Sequence, residues 1–318
     1  MPIIKHQFVE YMKNSTEKIS IFQRPFWVVT FALTAAMAWG WAYPLIKLGF
    51  DEFGITQDMT AGKMLFAGVR FSLAGFIVLA IAAVTKRRFA IAGTKGWLYV
   101  LLFALLNTGL HYYFFYVGLS YSDGARAAIL NSLGTFILVL LACLFFKSDR
   151  LTKNKIVGCV LGFAGILALN IGGAAGGGFT FMGDGMIILN ALCGAFAGLM
   201  TRGIGKYVDV FVGTGCSLAF GGIMLLVPGL IMGGTLPHVS VVGVVILLLL
   251  VSISALGFTL YNKLLTCNPV GKVAIFNSLI PVVGAVTSCL CLGDPFYWKY
   301  MIAAVLATAG IYVINKGK

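Results

Sequence analysis

Charged residues are scarce in this chain of 318 residues: they make up 10% of it, against about 25% in an ordinary soluble domain. So few charges cannot cover the surface of a soluble globular domain. Hydrophobic residues instead make up 60%, and they come in runs of about 20 residues, long enough to cross a hydrocarbon core of roughly 30 Å as a helix. The composition therefore predicts an all-α membrane protein, because backbone groups in lipid must be satisfied within the helix itself.

Acidic residues are missing from the interior of the apolar runs. All ten fall in tails, connectors or the edges of runs: Glu10, Glu17, Asp51, Glu52, Asp58, Asp123, Asp149, Asp184, Asp209 and Asp294. Exchange of protons for cationic drugs on a carboxylate deep in the membrane is therefore not expected. The seven cysteines lack metal-ligand spacing, and neither a nucleotide-binding glycine loop nor a catalytic triad is visible. We expect no cofactor, no metal and no enzymatic activity.

Ten apolar runs are predicted to span the membrane. Their bounds are 26–47, 63–84, 96–119, 124–146, 154–172, 183–205, 210–233, 239–264, 270–292 and 296–315. Residues 1–25 precede them, and either a helix lying on the membrane surface or a loose tail fits this segment. A glycine-rich stretch at 172–178 separates the fifth and sixth spans and indicates a flexible joint.

The basic residues set the predicted orientation. The formal net charge is +13, but the charges are spread over short connectors, so a nucleic-acid partner is not expected. If the N-terminus is cytoplasmic, 18 Lys and Arg residues lie on that side, and only Lys47, Lys63, Arg126 and Lys299 lie on the other. Because cytoplasmic loops carry the excess of Lys and Arg, we predict a multi-pass protein of the cell inner membrane with both termini in the cytoplasm.

The two halves of the chain repeat each other. Residues 128–133 (AILNSL) return as 274–279 (AIFNSL), and Arg126 corresponds to Lys272 at the same offset. The repeat predicts a first five-helix unit at 26–172, a linker at 173–182 and a second five-helix unit at 183–318. Because five is odd, the second unit must enter the membrane upside down. Two inverted repeats are typical of secondary transporters, which bind their substrate near the midplane between the repeats.

These segments resemble the drug/metabolite transporter superfamily, specifically its ten-span EamA-type branch, over about residues 28–315. The resemblance rests on the first-span and second-span segments and on a matched span, acidic residue and final span in each half: 38–43 through Lys47, 69–74, 127–135, Asp149, 158–170, 273–281, Asp294 and 303–315. The family's usual proline is present as Pro281 but is replaced by Thr135 in the first half, and its loop glutamate is aspartate in both halves.

The resemblance implies a secondary transporter that exports small metabolites, often amino acids or their relatives, by alternating access. It leaves a broad-specificity drug or solute exporter open as the alternative. An integral-membrane enzyme acting on lipids would need clustered His, Asp or Glu at one interface, and no such cluster is visible in the sequence. The expected partners are a small-molecule substrate and the lipid bilayer, and a homo-oligomer stays open.

The candidate substrate site lies in the cavity expected between the halves. Aromatic side chains with polar tips suit a partly apolar substrate, and Asn131 and Asn277 hold symmetric places in the repeat, where their amides would either meet substrate or cross-link helices. The candidate residues are Trp39, Tyr43, Arg70, His111, Tyr112, Tyr116, Asn131, Tyr261 and Asn277.

Two basic groups carry the hypothesis about the substrate's charge. A cation inside the membrane is costly, so Arg70, or Lys47 at the end of the first span, is a candidate to bind a substrate carboxylate. This favours a zwitterionic or anionic substrate. In the alternative interpretation Lys47 reaches the headgroups and Arg70 ties helix ends together. His111 either carries protons near physiological pH or bonds a neighbouring carbonyl.

Overall fold

The computed structural model describes residues 20–145, 151–168, 178–268, 273, 275–294 and 296–316, and within these ranges all regular secondary structure is helical. The all-α prediction is therefore confirmed for the described residues. Most of the predicted N-terminal tail and of the glycine-rich joint lies outside them, as do Asp149 and Lys272 of the repeat.

Ten helices follow one another in the described ranges: α1 Pro25–Phe53, α2 Thr60–Val84, α3 Gly93–Ser120, α4 Gly124–Phe145, α5 Lys153–Ala168, α6 Phe181–Lys206, α7 Val210–Ile231, α8 Val241–Cys267, α9 Leu279–Leu292 and α10 Trp298–Lys316. Seven of them, α1 to α4 and α6 to α8, are long and apolar enough to cross a membrane. Helices α9 and α10 are shorter apolar helices, and α5 has 16 residues.

Local sequence signals explain where several helices begin and end. Pro25 occupies the first turn of α1, where a missing N–H costs nothing. The prediction that the first span ends at residue 47 is wrong: α1 runs on to Phe53 and ends at Gly54, whose φ of 67° is left-handed. Asp209 and Ser240 cap α7 and α8 by accepting backbone N–H bonds.

Irregular turns interrupt or border four helices, and they lie at the cavity or at the polar layer described below. Helix α3 contains a widened π turn at Leu105–Gly109, and α6 begins with another at Phe181–Gly185. Helix α4 breaks at Ser132, between two α-helical pieces, and a tight 3₁₀ turn at Ile275–Ser278 precedes α9. Such turns inside helices frequently mark functional sites.

Bonds between helix ends show which ends lie together. The carbonyl of Phe53, at the end of α1, accepts the N–H of His238 just before α8 at 3.2 Å. Arg126, in the first turn of α4, bonds Asp184 in the first turn of α6. We call this side of the bundle the Arg126 end: α1 and α3 finish here, and α4, α6 and α8 begin here. Helices α1 and α6 therefore run in opposite directions.

Glycines allow the helices to approach closely. A Cβ on Gly75 of α2 would lie 2.7 Å from the Ala219 Cα of α7, and Gly158 of α5 faces the Gly310 carbonyl of α10. Gly162 of α5 faces the Phe136 ring of α4. Large apolar side chains cover the outside of the bundle, as lipid contact requires, among them Phe76, Leu98, Leu144, Ile231 and Leu248.

We predict that Gly75→Ala lowers the stability of the folded protein by about 1–3 kcal/mol, because the added methyl group meets the α7 backbone rather than a movable side chain. The thermal unfolding midpoint of the detergent-solubilised protein measures this. The matched control is Gly205→Ala, whose Cβ would have no neighbour within 4 Å. Equal midpoints for the two variants would contradict the close α2–α7 contact.

Candidate functional site

A cavity of about 180 Å³ lies inside the bundle, and both predicted halves line it. Helices α1 to α4 contribute from the first half, and α6, α8, α9 and the turn before α9 from the second. The wall is mostly apolar and aromatic, with a few amides, one histidine and one arginine. Among the described residues that line it, none is acidic. A largely apolar cavity with few polar groups is the usual form of a small-molecule site.

Eight of the nine candidate residues lie on this wall: Trp39, Tyr43, Arg70, His111, Tyr112, Asn131, Tyr261 and Asn277. Tyr116 does not line the cavity; its hydroxyl lies behind Arg70 and accepts a bond from that guanidinium. Eight residues that were chosen from the sequence alone therefore lie together around one cavity. Whether each contacts substrate stays a prediction.

Arg70 is the cation of the site and is only 1% exposed. Its Nε donates to the Leu250 carbonyl at 3.2 Å and to the Ser254 hydroxyl at 2.9 Å, and its Nη1 donates to Tyr116 Oη at 2.8 Å. The rings of Phe71 and Tyr112 flank the guanidinium, with centroids 4.8 and 5.9 Å from Cζ. Neutral groups therefore hold the charge in place.

No described acidic residue pairs with Arg70, and Nη2 has no hydrogen-bond partner within the described ranges. Arg70 links α2 to the middle of α8 through Leu250 and Ser254 and to α3 through Tyr116, so it cross-links helices along their length. Lys47 does not line the cavity. The unneutralised charge of the site is therefore the guanidinium of Arg70.

The two repeat-related asparagines both face the cavity and both cross-link helices. Asn131 Nδ2 donates to Tyr43 Oη at 2.8 Å, and Asn277 Nδ2 donates to Tyr261 Oη at 2.7 Å. Asn190 of α6 also donates to Asn131 Oδ1 at 2.6 Å. Each amide thus fixes the hydroxyl end of an aromatic side chain on the cavity wall.

Two ring nitrogens at the cavity are buried without a hydrogen bond in the described part of the chain: Trp39 Nε1 and His111 Nδ1. A backbone hydrogen bond between His111 and Asn190 agrees with the alternative in which His111 bonds a neighbouring carbonyl, whereas Nδ1 has no such bond. Both rings press against glycine: a Cβ on Gly257 would lie 2.8 Å from Trp39 Nε1, and one on Gly194 would lie 3.0 Å from His111 Cε1.

Sequence reasoning missed two further amides on the wall, Asn107 and Asn262. Asn107 lies in the π turn of α3 and donates to Ser217 Oγ of α7 at 2.9 Å, and Asn262 donates to Thr214 Oγ1 of α7 at 3.0 Å. A single polar amide inside a long apolar run was the signal that could have identified each. Both anchor their helices on α7.

A polar layer closes the Arg126 end beyond the cavity. Arg126 and Asp184, which are 3% and 2% exposed, form a two-bond ion pair with N–O distances of 2.7 and 2.8 Å. Beside it, the Gly124 N–H donates to Asp294 Oδ2 at 2.9 Å, and Tyr300 Oη donates to Asp123 Oδ2 at 3.1 Å.

The sequence placed both charges at the edge of a predicted span, Arg126 in 124–146 and Asp184 in 183–205. The structure adds that both are buried and form one ion pair. Residues 123–126 bond three different elements of the second half: the start of α6, the connector before α10, and α10 itself. Every polar bond of the layer named here therefore joins the two halves.

Comparison with known proteins places these features in a family. Two stretches, residues 26–171 and 181–316, match the model of the EamA-like transporter family. The chain is 25% identical over 285 residues to YvbV of Bacillus subtilis, named as an uncharacterized transporter, covering 87% of this chain and 88% of YvbV. It is 29% identical to a WAT1-related chloroplastic protein of Arabidopsis thaliana, covering 80% of this chain and 63% of that protein.

Two further comparisons complete the picture. A protein of Salmonella typhimurium named "Probable amino-acid metabolite efflux pump" is 23% identical, covering 89% of this chain and 92% of its own length. A solved crystal structure, whose title names no function, shares the fold with a TM-score of 0.68 at 17% identity, covering 90% of this chain and 95% of that chain. Its identity is too low to carry function.

The resemblance seen in the sequence is confirmed by these matches. The family model covers most of the chain, and the relatives named above that carry a functional name are transporters or efflux pumps. The long apolar helices agree with a multi-pass membrane protein. The chain therefore belongs to the EamA-like transporter family and is a membrane transporter, not an enzyme.

Proposed function

We propose that this protein is a secondary transporter that exports small carboxylate-bearing metabolites, amino acids among them, across the cell inner membrane by alternating access. The observation that carries the proposal is the buried guanidinium of Arg70, which has no described acidic partner and lies on the wall of a cavity between the halves. A substrate carboxylate would supply the missing negative charge through charge-assisted hydrogen bonds.

The packing of the helices supports two inverted repeats of five. Helix α1 packs on α8 and α9, while α6 packs on α3 and α4; α2 pairs with α7, α4 with α9 and α5 with α10. Exchanging each helix of one half with its counterpart in the other leaves this set of pairs unchanged. Since α1 and α6 run in opposite directions, the exchange is that of an inverted repeat, the arrangement that rocks about a central site.

The interruptions of the helices support the same position for the substrate. Asn131 lies at the break of α4, and its repeat counterpart Asn277 lies in the 3₁₀ turn before α9. Asn107 lies in the π turn of α3. Transporters typically build substrate sites from discontinuous helices near the bilayer midplane.

The charge of the wall favours a carboxylate over a cationic drug. No described residue lining the cavity is acidic, whereas Arg70 would repel a cation in a medium of low dielectric constant. The name of the Salmonella relative, an amino-acid metabolite efflux pump, supports the amino-acid class. The excess of basic residues in the connectors at the other end supports a cytoplasmic location of both termini, so the Arg126 end would face outward.

The polar layer at the Arg126 end would be the outer seal of the alternating cycle. A buried ion pair is weak evidence for stability, because desolvating two charges costs about as much as their attraction returns. Its position, joining the halves beyond the cavity, fits a contact that breaks when the cavity opens outward. Alternating access needs two such arrangements of similar free energy.

We predict that Arg70→Gln lowers transport of carboxylate substrates at least tenfold, because a hydrogen bond to a charged group contributes about 1.5–3 kcal/mol. Arg70→Lys should fall between Gln and wild type, since it keeps the charge but loses the planar fork. Counterflow into proteoliposomes, with a panel of amino acids and their relatives at set pH and potential gradients, measures this.

The control for that experiment is Lys47→Gln, which removes a half-buried cation that does not line the cavity. Its transport should match wild type. Size-exclusion profiles confirm that each variant is folded. Unchanged transport in folded Arg70→Gln would refute the proposed carboxylate site.

We also predict that Asp184→Asn loosens the Arg126 end alone. The change keeps the side chain's shape but leaves Arg126 buried without its counter-charge. Hydrogen exchange in peptides covering 121–131 and 181–190 should rise at least tenfold, while exchange in α2 and α7 stays as in wild type. Mass spectrometry of the protein in lipid nanodiscs measures both.

Asp58→Asn serves as the control carboxylate at the same end. Asp58 is exposed in the connector between α1 and α2, and a bond from the Thr56 hydroxyl lowers the pKa of its carboxyl, so it is ionised at neutral pH. This variant should exchange like wild type. The swap of Arg126→Asp with Asp184→Arg should restore protection. A uniform rise in exchange across all helices would show a purely structural ion pair and overturn the seal.

A further inference from the structure

The cavity wall contains four contacts of one kind, in which a bulky side chain lies against a glycine. Trp39 faces Gly257, and His111 faces Gly194. A Cβ on Gly198 would lie 2.9 Å from Leu138 Cδ2, and one on Gly284 would lie 3.2 Å from Tyr43 Cδ2. The four bulky residues all line the cavity.

The internal repeat relates these contacts in pairs. The offset of 155 residues that aligns α1 with α6 places Trp39 at the position of Gly194 and Tyr43 at that of Gly198. The offset of 146 that aligns Asn131 with Asn277 places His111 at the position of Gly257.

The same offset of 146 places Leu138 at the position of Gly284. Each bulky residue of the first half thus has a glycine as its counterpart in the second half. The Trp39–Gly257 contact between α1 and α8 becomes the Gly194–His111 contact between α6 and α3 when the halves are exchanged. Likewise, the Tyr43–Gly284 contact becomes the Gly198–Leu138 contact.

The first half therefore supplies all four bulky side chains, and the second half supplies all four glycines against which they lie. Two of the bulky side chains, Trp39 and His111, have a buried ring nitrogen at this contact. Trp39 Nε1 and His111 Nδ1 lie against a glycine and have no hydrogen-bond partner in the described part of the chain.

We propose that Gly194, Gly198, Gly257 and Gly284 are specificity-determining residues that set the width of the substrate cavity, because each holds one bulky side chain of the first half back from it. This inference rests on the proposed function, since it takes the cavity as the substrate site. A methyl group on Gly194, Gly198 or Gly257 displaces a side chain inward rather than a backbone, whereas one on Gly284 meets the Ala128 Cβ at 2.7 Å as well as the Tyr43 ring. The cavity becomes narrower while the helix packing persists.

The test is a substrate series of increasing side-chain size on one scaffold: alanine, valine, leucine, phenylalanine and tryptophan. In Gly257→Ala and Gly198→Ala, the KM for the largest members should rise at least tenfold while that for alanine stays within twofold of wild type. A single methylene in an apolar pocket changes selectivity by roughly 10–200-fold. Counterflow into proteoliposomes measures the whole series.

Gly109→Ala is the matched control, because Gly109 lies on the same helix as His111. A Cβ at this position would meet its nearest neighbours at an ordinary contact distance of 3.6 Å. It should keep the wild-type size profile. Trp39→Phe in the Gly257→Ala background should restore the large substrates, since phenylalanine lacks the indole edge that meets the new methyl group. An equal loss for all sizes would mean that the glycines serve packing alone and would overturn the inference.

A second readout needs no substrate. In protein labelled with 5-fluorotryptophan, the ¹⁹F resonance of Trp39, assigned by its loss in Trp39→Phe, should shift in Gly257→Ala and not in Gly109→Ala. An unmoved resonance overturns the inference whatever the transport result. A wild-type protein that transports no member of the series contradicts the proposed function instead, and the resonance still decides whether Gly257 holds the ring back.

Discussion

Hydrocarbon offers no hydrogen-bond partner to the backbone, and the whole structure follows from this constraint. Each long apolar run must satisfy its own N–H and C=O groups and therefore forms a helix. Irregular backbone is tolerated only where protein or a cavity surrounds it. The π turn of α3, the break of α4 and the 3₁₀ turn before α9 all lie at the central cavity, and the π turn of α6 lies at the polar layer of the Arg126 end. These four departures from regular α-helix thus lie at the cavity and at the polar layer that joins the halves.

The low dielectric constant of the hydrocarbon interior makes the bonding partners of Arg70 informative about its role. A guanidinium in a low-dielectric interior is normally paired with a carboxylate, as Arg126 is with Asp184. Arg70 instead has a carbonyl, two hydroxyls and two aromatic faces, which orient the charge without neutralising it. Two buried arginines, Arg70 on α2 and Arg126 on α4, therefore differ in the presence of a fixed counter-charge. The proposal that Arg70 binds a substrate anion rests on that difference, whereas Arg126 joins the two halves through Asp184.

Much of this could be predicted from the sequence, because periodicity and repetition survive in the residue order. Apolar runs predicted most helices to within a few residues. The exceptions are α1, which continues past Lys47 to Phe53, and α9, which begins at Leu279 after a 3₁₀ turn although its run began at 270. The repeat pointed to Asn131 and Asn277, and both lie on the cavity wall. The Arg126–Asp184 pair could not be predicted, because its partners lie 58 residues apart on helices whose ends look like ordinary connectors. The contact of Trp39 with Gly257 could not be predicted either, because it joins helices at residues 218 positions apart, and no local pattern encodes such a contact.

The packing of the helices is symmetric between the two halves, but the side chains at corresponding positions are not. The pairs of packed helices interchange when the halves are exchanged, yet the side chains at exchanged positions differ in size and charge. By the repeat, Asp184 corresponds to Val29, and Arg126 corresponds to Lys272. The bond that closes the Arg126 end therefore has no ionic equivalent between the corresponding positions at the opposite end. Two backbone arrangements related by symmetry would then differ in free energy through these side chains alone, so the equilibrium between them is set by a few residues at the ends and not by the fold. In the proposed cycle, the helix packing would supply two states of nearly equal free energy, and the side chains at the ends would set the equilibrium between them.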